Sequence, residues 1–135
     1  MEKGGIKEIG AMKDELDEIF VDKNESVDKK IVVDILKPLV TIDQEGVLSF
    51  TEGYESLDET KKALVYLVCK KAITLRGING FIESSGPTEI SKGAHTSVKN
   101  VENALYIYHK NLVKKEGKGY VIPNHNLKKV KELLH

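Results

Sequence analysis

PTEISKGAHTSVKNVENALYIYHKNLVKKEGKGYVIP, residues 87–123, is the stretch whose reading decides the fold. Gly86-Pro87 opens a helix, because proline is tolerated in a first turn, where the amide has no intrahelical partner. That helix is predicted over Pro87 to Ala94. A second begins at Thr96 or Ser97 and carries Val98, Val101, Leu105, Tyr108 and Leu112, at spacings of 3, 4, 3 and 4. Such spacing keeps one apolar face along an α-helix. Only a tight turn around His95 is left between the two. Leu112-Val113-Lys114-Lys115 and Gly119-Tyr120-Val121-Ile122 then read as strands around Glu116-Gly117-Lys118, and Pro123 ends the second.

Upstream, Ser56-Leu57-Asp58-Glu59 has the form of a capping box. It opens a long helix with Leu57, Leu64, Leu67, Val68, Ala72 and Leu75 on one face, stopped after Arg76 by Gly77 and Gly80. Leu39–Ile42 and Val47–Phe50 flank Asp43-Gln44-Glu45-Gly46, a hairpin signal with Gly46 at the position that needs positive φ. Ser26 is placed to cap a short helix carrying Val27, Ile31 and Ile35, which must end near Lys37 because Pro38 disfavours helical geometry before it. Ile6, Ile9, Met12, Leu16, Ile19 and Phe20 mark an amphipathic helix over residues 5–20. Leu127, Val130, Leu133 and Leu134 mark a last helix. The fold class expected is α+β, mostly helical. An acidic helical and β-hairpin extension spans 1–55, and a second unit spans 56–135.

The chain has 135 residues, 40% hydrophobic and 31% charged, enough apolar material for a core and too much for disorder throughout. No apolar run is long enough for a bilayer and no signal peptide is visible, so a cytoplasmic location is expected. Cys69 is the single cysteine, which excludes an internal disulfide and a cysteine-cluster zinc site. Abundant Lys and Glu beside a single glutamine, Gln44, is a pattern reported for thermophile proteins. The zero net charge hides an asymmetry. Residues 1–60 hold 7 Lys against 16 Asp or Glu, a net of −9; residues 61–135 hold 14 Lys or Arg against 5 Glu, a net of +9. A basic half suits a polyanion, since phosphate neutralisation supplies most non-specific affinity for DNA. Two halves that simply complement each other would show the same asymmetry.

From Ser56 onward the order is long helix, short helix, tight turn, helix, basic ribbon. Pro87–Lys92, Asn100–Leu105 and Leu112–Tyr120 together resemble the winged-helix branch of the helix-turn-helix superfamily, of the prokaryotic and archaeal transcription-regulator type. The resemblance covers residues 57–123, about half the chain. Ile90 and Val101 are eleven apart and Val101 and Leu105 four apart, as in that family's core; His95 stands where the family often has glycine. The step from Leu105 to Leu112-Val113 is one residue shorter than common there. The resemblance implies a winged helix-turn-helix whose helix 97–111 reads the major groove and whose wing, 113–122, touches phosphates.

The residues themselves allow this chemistry. With Val98, Val101, Leu105 and Tyr108 toward the core, Ser97, Lys99, Asn100 and Asn103 lie toward the other side. Asn can pair bidentately with adenine, Lys can reach guanine acceptors or phosphate, and Ser can bond either. Lys114, Lys115 and Lys118 would position the hairpin on phosphates without reading sequence. An ordinary solvated helix face and a charged edge-protecting hairpin are the plain alternatives.

Enzyme chemistry finds little footing. His95, His109, His125 and His135 lack metal-ligand spacing, and Cys69 sits beside the apolar stripe of the long helix as a packed thiol would. Gly77-Ile78-Asn79-Gly80 has the GxxG form of a KH loop but follows a helix without that fold's strands, and reads as a helix stop. The expectation is a sequence-specific regulator of double-stranded DNA, homodimeric on a palindromic site, with no cofactor, metal or catalytic residue. Two other readings compete. One is a winged helix serving as a protein–protein module in a transcription, replication or membrane-remodelling assembly, with the acidic half toward a basic partner. The other is single-strand binding, with Tyr106 and Tyr120 stacking on bases.

Overall fold

The computed structural model describes residues 28–135. The helix expected over 5–20 and the cap expected at Ser26 lie outside the described residues. Helix α1, Lys29–Leu36, is capped by Asp28, whose Oδ1 accepts from the amides of Lys30 (3.0 Å) and Ile31 (3.3 Å). It ends before Pro38, as expected. Strands β1 (Val40–Ile42) and β2 (Leu48–Phe50) pair antiparallel with Thr41 opposite Ser49. Asp43 Oδ1 folds the turn by accepting from the amides of Glu45 and Val47. Gly46 has φ +89°, and a Cβ there would stand 2.7 Å from Phe81 Cζ, so both backbone and space require glycine.

The next turn corrects the sequence reading. A short helix, α2 (Glu52–Glu55), precedes the long one, capped by Thr51. Ser56 therefore closes α2 and forms no capping box: its hydroxyl donates to the Glu52 carbonyl (3.0 Å). The cap of the long helix α3, Glu59–Arg76, is Asp58, which accepts from the Thr60 amide (2.8 Å). Gly77, at φ +79°, stops α3 as predicted.

Helix α3 is the axis of the molecule. Every residue from Lys62 to Lys71 is buried, where one apolar face was expected; Leu75, assigned to that face, is 39% exposed. The neighbours that enclose it come from both ends of the described residues. Helix α6, Leu127–Leu134, returns beside α1, with Lys131 Nζ 3.1 Å from Asp34 Oδ2 and His135 Nε2 3.2 Å from the Ile35 carbonyl. One hydrophobic cluster runs from Val32 to Leu134, across position 55.

The decisive stretch forms α4 (Pro87–Ala94), then α5 (Val98–Asn103) continued by a π-helical turn, Ala104–Tyr108. Strands β3 (Lys114–Glu116) and β4 (Gly119–Val121) follow, with Lys115 opposite Tyr120. Ser85 bridges to Tyr120 through both backbone hydrogen bonds (3.1 and 2.8 Å), which adds a third strand position to the ribbon. Gly119 permits it, since a Cβ there would meet the Ser85 amide at 2.8 Å. The architecture is α+β and mostly helical, with two small antiparallel hairpins among the described residues.

Candidate nucleic-acid interface

The turn between α4 and α5 is built from three local devices. His95 takes the left-handed conformation (φ 59°) that ends α4, the one non-glycine with positive φ among the described residues. The Ser91 hydroxyl donates to the Thr96 carbonyl (2.6 Å). Ser97 Oγ then accepts from the Asn100 amide (3.1 Å) and starts α5. Behind the turn, Gly93 lies against Tyr66 so closely that a Cβ would overlap the ring. The Tyr54 hydroxyl donates to the Ala94 carbonyl from below. The turn is therefore held from inside the core.

The apolar stripe expected on the second helix is only partly formed. Val101, Ala104 and Leu105 are buried, but Val98 is 39% exposed and Tyr108 65%. Val98 sits in the first turn, beyond the reach of the core. Tyr108 is displaced because the His109 amide donates to the Ala104 carbonyl, five residues back (2.8 Å), and the wider turn rotates everything after Leu105. Tyr106 and Ile107 are exposed with it.

Of the residues proposed to read bases, Lys99 is exposed and Asn103 half-buried. Ser97 is committed to its cap. Asn100 is half-buried, and its Nδ2 donates to Thr96 Oγ1 (3.1 Å), so it faces the turn. Asn100 and Asn103 border an open groove of about 600 Å³ with Asp58, Lys61, Tyr108 and His109. His109 Nε2 stands 3.3 Å from Thr60 Oγ1, which ties the end of the π turn to the start of α3. Burial holds the imidazole below its ordinary pKa of 6.5, with Asp58 opposing the shift. Lys114, Lys115 and Lys118 are exposed on the hairpin, as expected. Lys110, exposed between helix and hairpin, and Ile107 were missed, although the i+4 and i+11 spacings already place them near the face of Asn103 and Lys99.

The lysines fall into two populations. Lys62, Lys70 and Lys71 are buried on α3 and each meets a carboxylate: Lys62 with Glu59 (2.7 Å), Lys70 with Glu89 (2.5 Å), Lys71 with Glu83 (2.7 Å). Glu89 also accepts from the hydroxyls of Tyr66 and Ser85 (2.9 and 3.1 Å). Burial works to raise the Glu89 pKa, but hydrogen bonds from Lys70 and Tyr66 outweigh it and hold the carboxyl below its ordinary value. Lys99, Lys110, Lys114, Lys115 and Lys118, in contrast, are exposed and form no ion pair among the described residues.

Cys69 is fully buried, and burial pushes its thiol up to about 12, which removes its nucleophilic form at neutral pH. Among the described residues no three His, Cys, Asp or Glu side chains cluster as metal ligands, and no helix is long and apolar enough to cross a membrane. Compared with known proteins, the chain matches no family model, no curated protein and no solved structure.

Proposed function

We propose that this chain is a winged-helix transcription regulator, a cytoplasmic, non-catalytic protein that binds double-stranded DNA as a homodimer. In this reading α5 and its π turn lie in the major groove, and the β3–β4 hairpin is a wing on the flanking phosphates. The observation that carries the reading is the concentration, on these two adjacent elements, of exposed lysines with no ion pair among the described residues. The protein matches a carboxylate to each of its buried lysines; along the helix and hairpin, as at Lys29, Lys37, Lys92, Lys128 and Lys129, the ammonium groups face solvent with no ion pair among the described residues. Such groups are ready to replace counterions on a phosphate backbone. The core-anchored turn and the Ser85 bridge support the reading as well, since both fix helix and hairpin relative to each other.

The test is binding to a pool of random-sequence duplexes at low and high salt, with sequencing of the bound fraction. A steep salt dependence and enrichment of a palindromic motif are expected. Replacing Lys114, Lys115 and Lys118 together by Gln should weaken binding to all sequences alike and flatten the salt slope by about 0.9 for each lysine that sits on a phosphate. Absence of binding even at low salt overturns the reading.

A further inference from the structure

We infer that Ile107 is a base-reading residue for thymine methyl groups, so that the recognised sequence carries thymine close to the base contacted by Asn103. The inference rests on the DNA-binding reading above and adds the base chemistry of that site.

Ile107 is 60% exposed on a helix whose opposite side, Val101, Ala104 and Leu105, is closed into the core. It takes no part in the hydrophobic cluster of the described residues. Its position follows from the π turn. In an α-helix, residue i+4 falls about 40° past residue i. The wider turn over Ala104–Tyr108 removes that overshoot and brings Ile107 into line with Asn103 and, four residues earlier, Lys99. The row therefore runs cation, amide, aliphatic. Tyr106 turns away from this row toward the hairpin, its ring centroid 6.1 Å from that of Tyr120, and fills the flank on the wing side.

An exposed aliphatic group could equally meet a protein. The surroundings favour DNA. Lys99, Lys110, Lys114, Lys115 and Lys118 on the same helix and hairpin carry positive charge with no ion pair among the described residues, against Glu102 and Glu116 there and Asp58 and Glu59 across the groove that Asn103 borders. An apolar strip within a basic frame is the complement of a major groove, where phosphates border the C5 methyl of thymine. That methyl is the apolar group the major groove offers to a side chain. Four residues along a helix advance about 6 Å, the rise of roughly two base pairs, so amide and aliphatic contacts fall about two base pairs apart.

The experiment uses the full chain and the duplex motif enriched from a random 24-base-pair pool. The enriched duplex is resynthesised with uracil in place of thymine, which removes the methyl and keeps the pairing. The thymine duplex should bind about fourfold more tightly per contacted methyl, the value of one carbon group withdrawn from water. Ile107→Ser should bind the uracil duplex as the parent protein does and show no preference between the two. Equal binding of thymine and uracil duplexes by the parent protein overturns the inference and leaves DNA binding standing, and needs no variant to fold. Enrichment of no motif, with binding at low salt, also overturns it. A preference that survives in Ile107→Ser removes the role from this residue. No binding of any duplex overturns the DNA reading itself. A homodimer free of DNA that dissociates in Ile107→Ser would assign the face to a protein interface instead.

Discussion

Glu89 stands in the first turn of α4, where a negative charge is favoured by the helix N-terminus, and takes hydrogen bonds from Lys70, Tyr66 and Ser85. Because its folded pKa is depressed, its contribution is present above the ordinary glutamate value of 4.5 and is lost as pH falls through the lower folded value. His109 has a depressed folded pKa as well, so its neutral form stabilises the fold at high pH, and that contribution begins to be lost as pH falls through 6.5. Acidification should thus lower Tm in two stages. Glu89→Gln should shrink the lower stage, to which Asp34, Asp58 and Glu59 also contribute, and keep the upper, as followed by thermal melts between pH 8 and pH 3.5. At neutral pH the variant should lose roughly 1–3 kcal/mol, less than for a fully buried pair because the Glu89 side chain is 44% exposed. None of this was legible from the residues in line. Glu89 reads as an ordinary first-turn acid, and its partners lie 19 and 23 positions away as well as four. His95, by contrast, could be placed in the turn from the two helical patterns on either side of it.

At the scale of elements, periodicity located α1, α3, α4, α6 and both hairpins to within a residue or two, and Pro38, Gly77, His95 and Pro123 mark the ends of α1, α3, α4 and the second hairpin. It failed where two signals compete. Ser56 and Asp58 are both good caps, and the choice was made by Thr51 nucleating an extra turn upstream. The π turn has no signature in the stripe, since Tyr108 satisfies an α-helical spacing that the backbone does not follow. Half of the candidate site, Lys99, Asn103 and the wing lysines, was visible beforehand; Ile107 shares their face by i+4 spacing but was passed over because the stripe assigned the apolar residues of this helix to the core. The contact between α3 and α4 has a sharp requirement at Gly93. Gly93→Ala should force Tyr66 out of its place and cost about 1–3 kcal/mol as overpacking, despite alanine's better helix propensity. A melt showing Gly93→Ala as stable as the parent would mean that α4 does not sit so close to α3.

Over the whole molecule, α1 and α6 enclose α3 together, and one cluster joins Val32 to Leu134. The described residues should unfold in a single transition, with tyrosine fluorescence and far-ultraviolet circular dichroism coinciding. Leu127, 1% exposed, is the test of that unity. Leu127→Ala should cost about 2–5 kcal/mol and lower amide protection in α1 together with α6. Separate transitions for α1 and α6 would contradict a shared core. The charge asymmetry, −9 then +9, was legible as a number, but its spatial meaning was not. Some of the positive charge is spent inside, on Glu59, Glu83 and Glu89, and some is left outside on the helix and hairpin.

That division gives the protein's amines two reactivities. Acylating reagents, enzymatic or chemical, need an accessible free amine. They would reach Lys99, Lys110 and the hairpin lysines, while Lys62, Lys70 and Lys71 are shielded under their carboxylates. Each acyl group removes one positive charge. The outer surface could therefore be discharged step by step while the interior kept every one of its ion pairs, so that the adhesive property of this chain is adjustable independently of its architecture.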